Sequence, residues 1–201
     1  MLCLDLETSG LDPTTDFITV AGVMGDFGMH AISSPAKLFR EDPLAAELSL
    51  LKRMSDMNFN FGEPLLTFNG SSFDLPFLKT RLMIHELPEP GFMSPSQHHI
   101  DLMSFATACN GGVRISKDNA ASKFCNVYVP KNSSGAYLAK IYSQRIVTDD
   151  QHFGTILHNC QDLRVSRQML DAWNNWPLFE QHYSAQYPDL RSWCPKKEVV
   201  L

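Results

Sequence analysis

Four carboxylates sit at the ends of apolar stretches rather than scattered through them. Asp5 and Glu7 lie two apart in "LCLDLETSG", so on a strand both side chains point to the same face. Asp74 follows a second apolar stretch in "LLTFNGSSFDLPFL". Asp162 stands in "LHNCQDL", four residues after His158, and on a helix the two share a face. Like charges that close on an apolar strand repel, and they are costly to desolvate unless a cation sits between them. If the elements that carry these acids pack side by side, the resulting oxygen-rich cluster suits Mg²⁺ or Mn²⁺. Each piece also has a plainer reading. "DLET" can be a strand end with two exposed acids, "NGSSFD" a turn with a capping aspartate, and His158 with Asp162 a helix-surface hydrogen bond. Asn69 reads most simply as a turn-former, and Asp101 in "HHIDLM" as structural.

The elements that would position these residues follow from periodicity and punctuation. Residues 2–6, 17–24 and 28–33 read as strands of a meander, the last two parted by "GDFG". Residues 42–57 open with Asp42 and Pro43, a cap and a first-turn proline, and carry Leu and Ala at helical spacing. A fourth strand is expected over 64–70 and a helix over about 73–85. "HHIDLMSFATAC" reads as a short strand or turn running into a helix, and "SKDNAASKFCNVY" and "SSGAYLAKIYSQ" as two short helices. From Thr148 to Trp173 the pattern predicts a long helix with Phe153, Ile156, Leu157, Leu163, Met169 and Leu170 as its apolar residues. Strands first and helices after give an α/β layer architecture. Residues 174–201 are aromatic and proline-rich, expected to form a short helix and a tail on the body.

With 201 residues, 44% of them apolar and 19% charged, the chain suits one domain with a real core. The five cysteines are odd in number and lack CxxC spacing, which points away from a disulfide framework and a zinc site; they are expected reduced and mostly buried. No apolar run approaches the roughly 18–20 residues of a membrane helix, and the first apolar stretch carries acids without a basic leader. An intracellular, cytoplasmic protein with no membrane partner is expected. The net charge of −5 argues against a generally basic nucleic-acid binder. Yet the window 112–146 carries +5, leaving −10 for the remainder, and it holds Tyr128, Tyr137 and Tyr142. Such a segment can hold a phosphodiester backbone and stack bases. A solvated helical surface with buried tyrosines is the plainer reading.

In order and spacing, "DLETSGLDP", "FNGSSFDLPFL" and "HNCQDLRVSRQML" resemble the three motifs of the DEDD 3′-to-5′ exonuclease superfamily, over roughly residues 2–172. The second motif is especially similar to that of the proofreading domain of family-B DNA polymerases and its stand-alone relatives. The segment from Ile115 to Tyr142, with Lys131 and "SGAYLAKIY", looks like those relatives too. The resemblance implies a ribonuclease H-like α/β fold, a mixed central sheet flanked by helices, with a catalytic domain over 1–173 and an extension over 174–201 packed on it. It also implies two divalent cations, Mg²⁺ or Mn²⁺. Asp5, Glu7 and Asp162 would hold the one that activates water, Asp5 would bridge to the other, and Asp74 would bind that second one largely through water. The implied reaction removes nucleoside 5′-monophosphates from 3′ ends of single-stranded DNA or RNA, DNA slightly favoured. Thr8 would bond a terminal hydroxyl, Leu11 and Phe73 would wedge against the last bases, and Asn69 would support the turn or approach a phosphate. Core packing is the plainer reading of Leu11 and Phe73.

The third motif departs from both family forms, one with tyrosine four positions before the aspartate and one with histidine five before it. Here a histidine, His158, has the tyrosine's spacing to Asp162. The rest of the motif reads like the tyrosine-type helix, which puts His158 at the water-orienting position. A neutral imidazole can accept a proton there near neutral pH; it can equally stop short of the water and only bond Asp162 or the substrate. Two other functions fit the same residues: a nucleic-acid-binding module with weakened catalysis, and a nuclease of very short oligonucleotides.

Overall fold

The computed structural model describes residues 1–57, 64–94, 98–129, 134–188 and 190–193, the side chains of residues 191 and 193 apart. Lys131, Cys194 and the tail beyond lie outside the described residues. Strands β1 (Leu2–Thr8), β2 (Ile18–Gly25) and β3 (Gly28–Ser33) form the expected antiparallel meander. Strands β4 (Leu65–Thr67) and β5 (His99–Asp101) add to it in parallel, giving the order β3-β2-β1-β4-β5. The mixed α/β sheet expected from the sequence is present.

The central strand β1 is buried from Leu2 to Glu7, which explains why its sequence is a nearly continuous apolar run rather than an alternating one. Leu2, Leu4 and Leu6 enter one core, with α2 (Pro43–Asp56), α3 (Asp74–Ile84) and α6 (Gly135–Ser143). Cys3 enters the other, with α4 (Leu102–Cys109), α5 (Lys117–Cys125), α7 (Asp149–Trp173) and α8 (Pro177–Ser184). By strand alternation Asp5 and Glu7 share the face of Cys3, the one that α7 crosses over β1, β2 and β3. Residues 177–190 join this second core through Phe179, Tyr183, Tyr187 and Leu190.

Local signals set the helix ends. Asp42 accepts from the Ala45 amide to cap α2, and Thr148 with Gln151 forms a capping box for α7. The strand expected over 64–70 is shorter, because the chain turns at Asn69, whose φ is 72°. Helix α1 (Ala36–Glu41) has no cap signal beyond Pro35 and is absent from the sequence reading, as is α9 (Leu190–Trp193).

The structure adds to three points of the sequence reading. On α7, Leu163, Met169 and Leu170 are buried, but Phe153 and Leu157 are exposed and Thr155 and Asn159 take their place inside. The helix passes so close to Gly22 of β2 that a Cβ there would meet Asn159 Oδ1, and Asn159 bonds the neighbouring strand β1 through the Asp5 carbonyl. Of the described cysteines only Cys3 is buried; Cys109, Cys125 and Cys160 are half-buried, and all four are free thiols. The tyrosines of the basic window follow the plainer reading only in part. Tyr142 is buried, Tyr137 accepts from Gln151, and only Tyr128 projects fully, at 85% exposure. Among the described residues no helix is long and apolar enough to cross a membrane.

Candidate active site

Strand β1 brings Asp5 and Glu7 to the sheet face under α7, both nearly buried. Between Glu7 and Thr8 the register to β2 slips, Glu7 pairing with Val20 and Thr8 with Ile18. This bulge turns the strand end out of the ladder, and Thr19 secures it by donating to the Glu7 carbonyl at 3.1 Å. Asp74 is the first residue of α3 and also buried. Its Oδ1 accepts from the backbone N–H of Leu6 at 2.9 Å, so the second motif is stitched to the first.

The turn before Asp74 owes its shape to Asp101. One oxygen of that carboxylate accepts from the backbone N–H of Asn69 at 2.6 Å and of Met103 at 3.1 Å, the other from that of Ser71 at 3.0 Å. Asp101 is therefore structural, as expected. Asn69 is a turn residue as well, with its side-chain oxygen accepting from Arg114 at 2.8 Å.

Helix α7 delivers His158 and Asp162 from its face toward the sheet. The hydrogen bond between them considered in the sequence is not made. Asp162 Oδ2 instead accepts from Lys117 Nζ at 2.8 Å, and the same ammonium donates to Asp5 Oδ1 at 2.6 Å. His158 is half-buried and lies near Asp5. Asn159 completes the arrangement, its Nδ2 donating to the Asp5 carbonyl at 3.0 Å and to Asp5 Oδ2 at 2.9 Å. Both oxygens of Asp5 are thus fixed, one by Lys117 and one by Asn159.

Sequence reasoning did not single out Lys117 or Asn159. Lys117 was visible as one cation of a basic window, but nothing in the spacing linked it to acids 112 residues earlier and 45 later. Asn159 has a local signal, its position three residues before Asp162 on a helix. Its partner on the sheet is Gly22, opposite Asp5 in the β1–β2 ladder. A Cβ built there would lie 1.9 Å from Asn159 Oδ1 and 2.9 Å from Leu163 Cδ1. Gly22→Ala is accordingly expected to push α7 off the sheet at a cost of about 1–3 kcal/mol, read as a lower Tm together with weaker activity.

The electrostatics are dominated by acid. Burial, then the charge of Asp162, raises the pKa of Asp5 against the pull of Lys117. Burial, then Asp5 and Asp162, holds Glu7 well above the usual carboxylate range. Burial, then Asp5, pushes Asp74 up to about 8. Burial works against the Lys117 charge, but Asp5 and Asp162 together outweigh it and raise its pKa. One ammonium thus faces four carboxylates. Without an added cation the folded protein holds the Asp74 proton up to pH about 8, whereas an unfolded aspartate releases it near pH ~4. The folded state binds more protons in that window, so stability is expected to fall as pH rises from about 4 to about 8. Urea unfolding in chelator across that range checks the slope, and added Mg²⁺ is expected to flatten it.

Such an acid excess is the donor chemistry that hard divalent cations require. The side chains are not yet closed around one. Among the described residues no three His, Cys, Asp or Glu side chains stand together as a ready cation site, and Lys117 lies between Asp5 and Asp162. The chemistry fits an ion that displaces this ammonium.

Beside Glu7 opens a cavity of about 490 Å³, lined by Thr8, Leu11, Phe73 and, from α6, Gly135, Ala136 and Ala139. Its size is that of a small-molecule site. Leu11 is 82% exposed and free of the core. Phe73 is partly buried against Phe77, 5.5 Å between ring centroids, and also lines the cavity. Thr8 Oγ1 donates to the Gly10 carbonyl at 2.6 Å, bracing the loop that carries Leu11.

A meander extended by two parallel strands, with acids at the end of its central strand, defines an RNase H-like fold. The model of the RNase H superfamily matches residues 2–174, and the chain belongs to that superfamily. The family B DNA polymerase of the hyperthermophilic archaeon Pyrobaculum calidifontis is similar with a TM-score of 0.63 at 12% identity, over 90% of this chain and 26% of that one. E. coli Exonuclease I in complex with a dA16 oligonucleotide gives 0.53 at 15% identity, over 91% of this chain and 42% of that one. Brucella melitensis NrnC bound to pGG gives 0.50 at 18% identity, over 96% and 82%. These are likenesses of fold, consistent with the resemblance to the DEDD exonucleases. The chain spans about a quarter of the polymerase and about two-fifths of Exonuclease I. No curated protein matches it.

Proposed function

We propose that this protein is a metal-dependent 3′-to-5′ exonuclease that removes nucleoside 5′-monophosphates from single-stranded nucleic acid, DNA slightly ahead of RNA. The observation that carries the reading is that Asp5 and Asp162 share the Lys117 ammonium while Glu7 and Asp74 lie near enough that, after burial, Asp5 raises the pKa of each, beside a cavity lined by Glu7, Leu11 and Phe73. Four acids that burden the fold when unneutralised are costly to keep for structure alone. Asp5, Glu7 and Asp162 would hold one divalent cation, with Asp5 shared and Asp74 serving a second. Bound there, two such ions supply charge stabilisation to both the attacking and the leaving oxygen of an in-line displacement at phosphorus. The protein's own groups do the rest. Leu11 and Phe73 grip the terminal base without reading its identity, and Thr8 contacts the terminal sugar. A ring nitrogen of His158 takes the proton of the attacking water. The catalytic unit would be residues 1–173, with 174–201 as an extension that joins the second core through Phe179, Tyr183, Tyr187 and Leu190.

Two experiments bear on this reading. Oligonucleotides labelled at either end distinguish polarity: a 3′ label is expected to leave at once as a mononucleotide, while a 5′ label shortens stepwise. Release of dinucleotides, or degradation confined to very short oligonucleotides, would favour the short-substrate alternative. If His158 accepts the proton, His158→Ala is expected to lower kcat by about 10²-fold while KM for the oligonucleotide stays near its starting value. A near-normal rate would make the histidine a bystander.

A further inference from the structure

The carboxylate cluster already contains a cation, and that cation belongs to the chain. Lys117 reaches in from the first turn of α5, its side chain only 11% exposed, and donates to Asp5 at 2.6 Å and Asp162 at 2.8 Å. Its position is not one that the helix favours, because the N-terminal turn is the positive end of the helix dipole. The acids hold it there. They are drawn from β1 and α7, so the lysine ties α5 to two elements that Asn159 already links by hydrogen bonds.

Asp5 and Asp162 are also two of the residues that the proposed function assigns to a divalent cation. An ammonium bonded at 2.6 and 2.8 Å and a magnesium ion at roughly 2.0–2.1 Å cannot occupy the same place between these two oxygens. The ion needs the oxygens drawn inward and the space between them vacated. Lys117 supplies one positive charge to a cluster of four acids, whereas an ion supplies two, so exchange is favoured by charge and opposed by the two bonds that must break.

We infer that Lys117 is a built-in competitor for the divalent cation, an ammonium that closes the site when metal is scarce and is expelled from between Asp5 and Asp162 when metal binds. The apparent metal affinity is then the intrinsic affinity of the acids reduced by the strength of the Lys117 contacts. The inference rests on the reading of this cluster as a metal site, and the experiment keeps the two apart.

Calorimetric titration with Mn²⁺ compares the wild type with Lys117→Met, which keeps the length and apolar stem but not the charge, and with Lys117→Arg, which keeps the charge. Lys117→Met is expected to bind Mn²⁺ about tenfold or more tightly than the wild type, and Lys117→Arg no more tightly. Equal binding by the wild type and Lys117→Met overturns the competition while leaving the metal site standing. No binding by any of the three overturns the metal site and the competition with it. Because Lys117→Met leaves four acids without a counter-charge and can fail to fold, the wild type carries a second test. The Lys117 ammonium, protected by its two carboxylate bonds, is expected to give a slowly exchanging ¹⁵N–¹H signal that is lost or shifted on saturation with Mg²⁺. An ammonium signal unchanged at saturating Mg²⁺ overturns the exchange.

Discussion

Asp5→Asn is expected to lower exonuclease turnover by about 10³-fold or more, roughly 4 kcal/mol of transition-state stabilisation, while leaving the fold nearly as stable as before. The activity arm follows from position. Asp5 is the acid at the centre of the cluster, sensed by Glu7 and Asp74 and bonded to Lys117 and Asn159. The amide has the same shape but no charge with which to hold a divalent cation. The stability arm follows from two opposed effects. Burial and the charge of Asp162 already disfavour the Asp5 carboxylate, so its neutralisation brings relief. Both of its oxygens accept, however, so the new NH₂ must face either Lys117 or Asn159, a donor mismatch of about 1–3 kcal/mol. Paired kcat and urea-unfolding measurements separate the arms. A variant with normal turnover would remove Asp5 from the chemistry, and an unfolded one would make it a framework residue.

Arg81→Met is expected to be the most damaging change away from the site, at about 3–5 kcal/mol, a fall in Tm on the order of 10 °C for a chain this size. Glu47 of α2 is fully buried and Arg81 of α3 is 2% exposed. The guanidinium donates Nε and Nη2 to the carboxylate, the shortest contact being 2.6 Å. His85 adds a bond at 2.7 Å, and Glu47 Oε1 accepts from the backbone N–H of Ile18 at 2.7 Å. Removal of the arginine leaves a carboxylate in the core with only its His85 and Ile18 contacts. The effect should reach the substrate cavity as well, because Arg81 Nη1 donates to the Pro13 carbonyl at 3.2 Å in the loop that carries Leu11. A higher KM is therefore expected alongside the lower Tm, and a loss of stability with unchanged KM would confine the network to the core.

The acids were legible in the sequence because their signal is local. Asp5 and Glu7 end an apolar run, Asp74 follows a turn, and Asp162 sits in a periodic helix; each position is set by its near neighbours. The strands β1 to β3 and helices α2, α3 and α7 were legible for the same reason, being bounded by glycine, by Asp42–Pro43 and by Thr148. What the sequence did not disclose depends on contacts between distant segments. Lys117 differs from any surface lysine only in the acids that it meets across the fold. The Glu47–Arg81–His85 network looks, in one dimension, like ordinary charges on two amphipathic helices. On α7 apolarity alone does not mark the buried side, because Leu157 is exposed whereas Asn159 is buried against Gly22 and donates to the Asp5 carbonyl of β1. Helix α1 went unread because it lacks a side-chain cap hydrogen bond and is only six residues long.

The central claim, that these four carboxylates make a metal-dependent 3′-to-5′ exonuclease, is tested most directly by a time course on 5′-labelled single-stranded DNA and RNA. Wild type and Asp5→Asn would each be run with Mg²⁺, Mn²⁺ or chelator. The account predicts a ladder shortening one nucleotide at a time from the 3′ end with the wild type and either metal, abolished by chelator and by Asp5→Asn, and faster on DNA. Intact substrate on both polymers with every metal, or a ladder that persists in Asp5→Asn, would contradict it.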